Sequence, residues 1–251
     1  MVILNEKTVK DFKQIPIIIP SYEPDIRLLD LLRDLKSYGF TKIILVNDGS
    51  SPKFNFIFEI AKNNSNVEIL YHQENLGKGA ALKTAFDYCI KNIKNLGGCI
   101  TADSDGQHSP SSINNCILAL INNPQNLIMG VRDFHKSGIP KKSIIGNLLT
   151  NKIINKIYGK NLTDTQTGLR GLPSDFMKLC TQLEGNRFEF EMEMLTLALE
   201  KNIQITEVPI ETIYDSERNH STHFKPIADS IKIYKTLGFF RCLKILFFGR
   251  K

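Results

Sequence analysis

The sequence predicts an α/β protein with a mostly parallel central sheet and helices on both faces. Apolar runs rich in Ile and Val alternate with segments of helical period over the first half of the chain. The runs Ile-Ile-Ile at 17–19 and Ile-Ile-Leu-Val at 43–46 are continuously apolar, as expected of strands buried on both faces. With 251 residues and 42% hydrophobic content, the chain can bury one large core.

The strands are predicted from short apolar runs that end in polar loops, and each helix from apolar residues at three- and four-residue spacing. Ser109 and Pro110, for example, mark the cap and first turn of a helix. In chain order we predict strand 15–20, helix 25–38, strand 42–47, helix 54–63, strand 67–72, helix 79–92, strand 98–102, helix 110–122 and strand 126–131. The regular alternation then stops, and helices at 143–158 and 188–201 and a strand at 205–214 follow.

The charge of the chain divides it into a domain and a tail. Residues 218–251 hold eight basic residues and one acid, a net +7, which leaves −1 for the remainder of a chain whose total is +6. A nucleic-acid surface would spread cations over the domain, so we predict no nucleic-acid partner. We expect an N-terminal extension at 1–14, a domain at 15–215 and a basic amphipathic tail at 216–251.

The tail is predicted to lie on a membrane. Its most apolar stretch, 239–248, is interrupted by Arg241 and Lys244 and is shorter than the roughly 20 residues of a spanning helix. We expect an amphipathic helical segment on an anionic membrane surface. The alternatives are a helix packed on the domain or one that mediates dimerisation. A homo-oligomer or a separate membrane-protein partner is compatible with the sequence.

The chemistry of the termini and thiols favours the cytoplasm. Residues 1–14 contain no apolar segment typical of a cleaved signal. The five cysteines form no C-x-x-C pair and are expected to be buried thiols in a reducing compartment. We therefore predict a protein peripherally associated with the inner face of the membrane.

Asp103 and Asp105 are the strongest candidates for metal binding. They follow an apolar strand with one residue between them, so extended geometry would direct both carboxylates to one side. Such a pair suits Mg²⁺ or Mn²⁺, with Gln107 and His108 as further ligands or donors. The alternative is an acidic turn that caps the next helix.

Two other loops carry weaker signals. Asp48 begins Asp-Gly-Ser-Ser at a strand end, which is also an ordinary turn. Gly77-Lys78-Gly79 opens a helix whose amides would suit an anion, although it matches neither the dinucleotide fingerprint nor a Walker A loop.

Taken together, these motifs resemble the family 2 glycosyltransferases. The motifs are Pro-Ser-Tyr-Glu-Pro at 20–24, Val-Asn-Asp-Gly-Ser-Ser at 46–51, Asn-Leu-Gly-Lys-Gly-Ala-Ala at 75–81 and Asp-Ser-Asp-Gly-Gln-His at 103–108. Asp-Thr-Gln-Thr-Gly-Leu-Arg at 164–170 and Ser-Thr-His-Phe-Lys-Pro at 221–226 resemble the branch that contains dolichyl-phosphate mannose synthase and bacterial polyprenyl-phosphate hexosyltransferases. The resemblance covers roughly residues 14–236.

The resemblance implies a GT-A fold, a Rossmann-like nucleotide-binding architecture with a mixed, mostly parallel sheet. It also implies that the nucleotide-sugar donor, of the UDP-glucose or GDP-mannose type, is bound by Pro20, Tyr22, Glu23, Asp48, Gly77, Lys78, Gly79 and Asp103. Asp103, Asp105 and Gln107 would hold the metal and the sugar diphosphate. Lys78 either faces a phosphate or is a solvated residue at a helix start.

The acceptor implied by the resemblance is a polyprenyl phosphate. A phosphomonoester is already an anion at neutral pH, so no general base is needed. The chain also lacks the Glu-Asp motif after Asp105 that supplies a base to hydroxyl acceptors. Arg132, Arg170 and Arg218 are expected to contact the phosphate, or alternatively to form surface salt bridges. Glu189 or Glu191 could face the acceptor pocket, although a solvated helix face is the simpler interpretation.

The sequence thus predicts an inverting, metal-dependent hexosyltransferase that contributes to a cell-envelope glycan. Two alternatives remain open. A sugar-nucleotide nucleotidyltransferase uses similar carboxylates on a similar sheet, and a non-catalytic lipid-surface module would keep only the fold.

Overall fold

The computed structural model describes residues 15–133 and 141–211, and only the backbone of 141–146. Within these residues, seven strands form one sheet. They are β1 (Ile17–Ser21), β2 (Ile43–Asp48), β3 (Val67–His72), β4 (Gly98–Thr101), β5 (Leu127–Arg132), β6 (Arg170–Pro173) and β7 (Ile205–Ile210). Their spatial order is β3-β2-β1-β4-β6-β5-β7.

Seven α-helices connect the strands in the described part of the chain. They are α1 (Arg27–Tyr38), α2 (Asn55–Lys62), α3 (Lys78–Asn92), α4 (Pro110–Asn122), α5 (Lys141–Tyr158), α6 (Ser174–Cys180) and α7 (Glu189–Glu200). A short 3₁₀ turn, Pro52–Phe54, precedes α2. Ser109 caps α4, since its side chain accepts from the Ser112 amide at 3.2 Å, as its position before Pro110 predicts.

The direction of the strands gathers the functional loops at one edge. β1 pairs in parallel with β2 and β4, β2 with β3, and β5 with β7, whereas β6 is antiparallel to both β4 and β5. The carboxyl ends of the six other strands and the amino end of β6 therefore lie along the same edge. In open α/β sheets this is the edge where ligands bind.

The two faces of the sheet are covered by two hydrophobic clusters. Ile17 and Ile19 face a cluster with residues of α1, α2 and α4, whereas Ile18 between them faces the cluster formed with α3, α5, α6 and α7. Alternate residues of a strand point to opposite faces, so a continuous Ile run serves both. This arrangement confirms the prediction of a mixed, mostly parallel sheet buried on both sides.

The predicted elements agree with the structure within two residues at nearly every end. The strand predicted at 205–214 is described only as far as Ile210, because residues from 212 onward lie outside the description. The sequence analysis missed β6 and α6. β6 is four residues long and contains Gly171 and Pro173, so it resembles a loop, and its pairing with β4 and β5 is non-local.

Two of the predicted regions are not among the residues that the structure describes. They are the extension 1–14 and the tail 216–251. Among the helices within the description, none combines the length and apolar character needed to span a bilayer.

Candidate active site

The loop after β4 carries both motif aspartates. Asp105 lies in a turn that follows Asp103, so the direction of the two carboxylates is set by the turn and not by the predicted extended strand. Asp103 Oδ1 lies 2.7 Å from Lys78 Nζ, and Asp103 Oδ2 lies 3.4 Å from His108 Nε2. The Asp103 side chain remains 31% exposed. Asp103 is thus a partly accessible carboxylate between two basic groups.

The two aspartates have opposite electrostatic environments. Burial alone would raise the pKa of Asp103, but Lys78 and His108 outweigh it and hold that pKa well below its usual range. Burial, and then the charge of Asp103, raise the pKa of Asp105. The amide of Gln107 donates to Asp105 Oδ1 at 3.1 Å, which places the backbone of Gln107 beside the pair.

Lys78 connects this loop to α7. Its ammonium also lies 2.9 Å from Glu191 Oε1, and the Lys78 side chain is only 17% exposed. Burial alone would lower its pKa, but Asp103 and Glu191 hold that pKa above its ordinary value. The interpretation of Lys78 as a solvated residue is therefore wrong. So is the solvated interpretation of Glu191, whose side chain is 14% exposed.

The glycines of the Gly77-Lys78-Gly79 motif serve close packing. Gly77 has φ +105°, and a side chain there would collide with the backbone of Asn186. A Cβ on Gly79 would lie 2.9 Å from the Asn186 carbonyl carbon. The Ala80 amide donates to the Asn186 carbonyl at 3.0 Å, so part of the α3 N-terminus is satisfied by protein. These contacts fix the backbone on which Lys78 stands.

Asp48 is part of a buried hydrogen-bond network. Its Oδ1 accepts from the Leu76 amide at 3.0 Å and its Oδ2 from the Gly77 amide at 2.8 Å, while His72 Nδ1 lies 2.7 Å from Oδ1. The Asp48 side chain is 3% exposed. The resemblance implied that Asp48 helps to bind the nucleotide-sugar donor. In this arrangement both oxygens accept protein donors, and the carboxylate is bonded to the 76–77 turn.

The loop after β1 is bonded to the loop after β2. The Glu23 amide donates to Ser50 Oγ at 2.9 Å, and Ser51 Oγ donates to Glu23 Oε1 at 3.1 Å. Glu23 has φ +48°, a left-handed conformation that is strained for most side chains. Pro20 lies buried within β1, and Tyr22 is half-buried in the loop. Tyr22 and Glu23, which are expected to bind the donor, therefore lie on a loop that is hydrogen-bonded to the loop after β2.

Arg132 stands at the carboxyl end of β5. Its Nε and Nη2 lie 2.7 and 3.0 Å from the two carboxylate oxygens of Asp164, and its side chain is 20% exposed. Asp164 is fully buried and also accepts from Asn147 Nδ2 at 2.8 Å. A two-point contact of this kind fixes the plane of the guanidinium. Arg132 is thus held rigidly at the edge where the other site loops meet.

Arg170 corrects one prediction. It is fully buried, and its guanidinium donates to the carbonyls of Thr167 at 2.9 Å, Thr165 at 3.3 Å and Glu191. A buried guanidinium that satisfies three backbone carbonyls does not reach a phosphate outside the core. Arg170 instead holds the 165–167 loop against α7. Arg218, the third predicted phosphate contact, lies outside the described residues.

Several important residues were missed from the sequence. Asn147, Asn151 and Asn155 lie at four-residue spacing on α5, and all bond to the 162–165 loop. Their spacing was visible, but the partner loop has no periodic signal. His72 could have been found, because β2 and β3 are parallel and Asp48 is its register partner at the strand ends.

A metal ion would rest mainly on Asp103 and Asp105. Among the described residues, no three His, Cys, Asp or Glu side chains are grouped to hold one. Two carboxylates still fit Mg²⁺ or Mn²⁺, since such ions are often bound by one or two carboxylates with substrate phosphates completing the shell. Burial first, and the charge of Asp103 second, raise the pKa of Asp105, and a bound cation would offset both effects.

Comparisons with known proteins agree with this architecture. The family model "Glycosyl transferase family 2" matches residues 17–179. A UDP-N-acetylglucosamine–dolichyl-phosphate N-acetylglucosaminyltransferase of Methanococcus voltae is 31% identical, over 80% of this chain and 86% of its own. The dolichyl-phosphate beta-glucosyltransferase of Saccharomyces cerevisiae is 27% identical, over 97% of this chain and 78% of its own.

A solved structure supports the fold. Glucosyl-3-phosphoglycerate synthase from Mycobacterium tuberculosis, crystallised with Mn²⁺, UDP and phosphoglyceric acid, superposes with a TM-score of 0.67 at 13% identity, covering 92% of this chain and 78% of that one. With the sheet order and the motif loops at one edge, these matches establish that the chain is a GT-A glycosyltransferase and belongs to glycosyl transferase family 2.

Proposed function

We propose that this enzyme transfers a hexosyl or N-acetylhexosaminyl group from a UDP-sugar to a polyprenyl phosphate of the dolichyl type, with inversion. The observation that carries the proposal is the Lys78–Asp103 pair beside Asp105, at the edge of the sheet that also holds Arg132. Two relatives named for dolichyl-phosphate transfer support the acceptor, and one named for UDP-N-acetylglucosamine supports the donor. GDP-mannose is the competing donor.

Cleavage of the donor requires stabilisation of the negative charge on the leaving diphosphate. When sugar transfer breaks the bond to the diphosphate, negative charge grows on the leaving oxygen. Lys78, held within 2.9 Å of two carboxylates, is a fixed cation at the start of α3. Asp103 and Asp105 are the residues that would hold Mg²⁺ or Mn²⁺, which supplies Lewis-acid stabilisation of that charge when bound.

A phosphate acceptor needs cationic groups to orient it and does not need a general base to ionise it. A lipid monophosphate has its second pKa near 6 and is therefore largely dianionic at neutral pH. It can attack without losing a proton to the protein. Arg132 is the described cation best suited to orient it, because Asp164 fixes its guanidinium and leaves the side chain 20% exposed. Arg218 stays a proposal from the sequence alone.

We also propose that the enzyme works at the cytoplasmic face of the membrane, as a peripheral protein. The support is the net +7 of residues 218–251, their interrupted apolar stretch and the lipid acceptor itself. The nucleotidyltransferase alternative has no support from the matched family. Membership of a glycosyltransferase family likewise disfavours a non-catalytic module.

A donor panel tests the proposal. Full-length protein is incubated with labelled UDP-glucose, UDP-N-acetylglucosamine or GDP-mannose, polyprenyl phosphate and Mn²⁺, and label is counted in the organic phase. We expect transfer from a UDP-sugar that requires the lipid phosphate and is abolished by EDTA. Label transferred only from GDP-mannose would show that GDP-mannose is the donor. Label in soluble glycan or protein would overturn the assignment of a lipid-phosphate acceptor. Release of pyrophosphate from a nucleoside triphosphate would favour the nucleotidyltransferase.

A further inference from the structure

A chain of three buried or half-buried side chains lies behind the 76–77 turn. His72, the last residue of β3, faces Asp48, the last residue of β2, with 2.7 Å between His72 Nδ1 and Asp48 Oδ1. His72 Nε2 lies 2.9 Å from Thr84 Oγ1 on α3. The His72 and Asp48 side chains are 7% and 3% exposed. The three residues, which we call the Asp48 relay, connect two strand ends with a helix.

The hydrogen-bond roles in the relay follow from its chemistry. A carboxylate only accepts, so His72 Nδ1 must donate to Asp48. In the neutral ring Nε2 then accepts from the Thr84 hydroxyl. Asp48 in turn accepts the amides of Leu76 and Gly77. Each group in the relay therefore fixes the orientation of the next.

The hydrogen bonds of the relay end at the amides of Leu76 and Gly77, next to Lys78 of the candidate site. Gly77 holds φ +105°, and in this conformation its amide and that of Leu76 both donate to Asp48. α3 begins at Lys78, whose ammonium lies 2.7 Å from Asp103. A change in the orientation of Asp48 would reach Lys78 through a single peptide unit.

We propose that His72, supported by Thr84, is a positioning residue for the donor site, acting through Asp48 on the 76–77 turn and Lys78. The inference rests on the proposed function, since the group positioned is the one that faces the donor diphosphate. His72 itself contacts no substrate. Its effect is confined to donor binding and leaves acceptor binding unchanged.

Two substitutions of His72 distinguish the contact of Nδ1 with Asp48 from the contact of Nε2 with Thr84. His72→Asn keeps an amide donor near the place of Nδ1, so the contact with Asp48 is retained and the contact with Thr84 is lost. His72→Gln places its amide near Nε2 and abandons Asp48. Thr84→Val removes the hydroxyl with little change of shape, and Thr84→Ser restores it.

The test measures UDP binding in the presence of Mn²⁺ by calorimetry, and donor and acceptor KM, with full-length protein. We expect His72→Gln to weaken UDP binding and raise donor KM by about tenfold, as for the loss of a charged hydrogen bond. Acceptor KM should stay unchanged. Thr84→Ser should resemble wild type, whereas His72→Asn and Thr84→Val, which both lose only the contact with Thr84, should fall between wild type and His72→Gln.

Three results would overturn the inference alone: wild-type UDP affinity in His72→Gln, equal losses in His72→Asn and His72→Gln, or a joint rise in donor and acceptor KM. If His72→Gln does not fold, Thr84→Val decides the question by the same measurements. Wild-type protein that binds neither UDP nor GDP and transfers no sugar would instead overturn the proposed function, and this role with it.

Discussion

Arg170 lies inside the protein although its motif position suggested a phosphate contact. The sequence could identify it as an important arginine but not its surroundings, because three of its contacts are backbone carbonyls on two segments, one near in sequence and one on α7. Asp103, Asp105 and Lys78 were identified more fully, since a strand end and a helix start determine where they lie. The Lys78–Glu191 contact spans 113 positions and has no local signal.

We expect Arg170→Met to lower the free energy of unfolding by about 3 kcal/mol, because three carbonyl groups lose a buried donor at about 1 kcal/mol or more each. Urea denaturation followed by circular dichroism measures the change. Arg33→Met is the control, since Arg33 is 67% exposed and should leave the midpoint unchanged. An Arg170→Met protein of wild-type stability that has lost transfer would restore the phosphate-contact interpretation.

A second prediction concerns the reactivity of the cysteine thiols. Cys89, Cys99, Cys116 and Cys180 are buried, and burial raises the pKa of Cys89, Cys116 and Cys180 to about 12. A raised pKa leaves almost no thiolate at pH 8, and burial blocks access. Ellman's reagent should therefore modify these four thiols slowly in native protein and quickly in urea. Two or more fast thiols in the native state would contradict this packing.

At the scale of the element, α5 acts as a platform for the loop that carries Asp164. Asn151 Oδ1 accepts the amide of Thr165 at 3.0 Å and its hydroxyl at 2.6 Å, and Asn155 exchanges two bonds with Leu162. The sequence predicted the helix but not this use of its polar face. β6 was missed for a related reason, since a four-residue strand depends on its two neighbours for existence.

Asn151→Ala should destabilise the protein by about 2 kcal/mol, because the buried amide and hydroxyl of Thr165 and the partly buried carbonyl of Thr163 lose their partner. The unfolding midpoint in urea measures this. Lys152→Ala, at the neighbouring exposed position, is the matched control and should show no measurable change. Equal midpoints for the two variants would show that the asparagine row does not hold the loop.

In the whole molecule, the excess of positive charge and the predicted domain occupy different parts of the sequence: the domain is predicted at 15–215, and residues 218–251 carry a net +7. The sheet and its motif loops were predictable because strand ends, turn residues and buried Ile-Val runs follow local rules. The tail was identified from its charge and its interrupted apolar stretch. We expect it to draw the enzyme to the lipid surface where a polyprenyl phosphate resides.

Neutralising the tail should weaken membrane binding. Replacing four tail cations with Gln, namely Lys232, Lys235, Arg241 and Lys244, is expected to reduce binding to anionic vesicles at least about tenfold, since each basic residue near the surface contributes about 1 kcal/mol. Vesicle cosedimentation measures this. The control replaces four exposed domain lysines, Lys36, Lys62, Lys91 and Lys94, with Gln. Equal losses in both proteins would mean that net charge, and not the tail, drives binding.

We propose that Asp103 and Asp105 together serve metal-dependent transfer to a lipid phosphate. The most direct measurement is the initial rate of Mn²⁺-dependent label transfer to polyprenyl phosphate by Asp103→Asn and Asp105→Asn, beside Asp175→Asn, whose side chain is 91% exposed. We predict that both site variants lose about 100-fold or more of the rate while Asp175→Asn keeps the wild-type rate. Site variants that transfer sugar at wild-type rates, with or without Mn²⁺, would contradict the account.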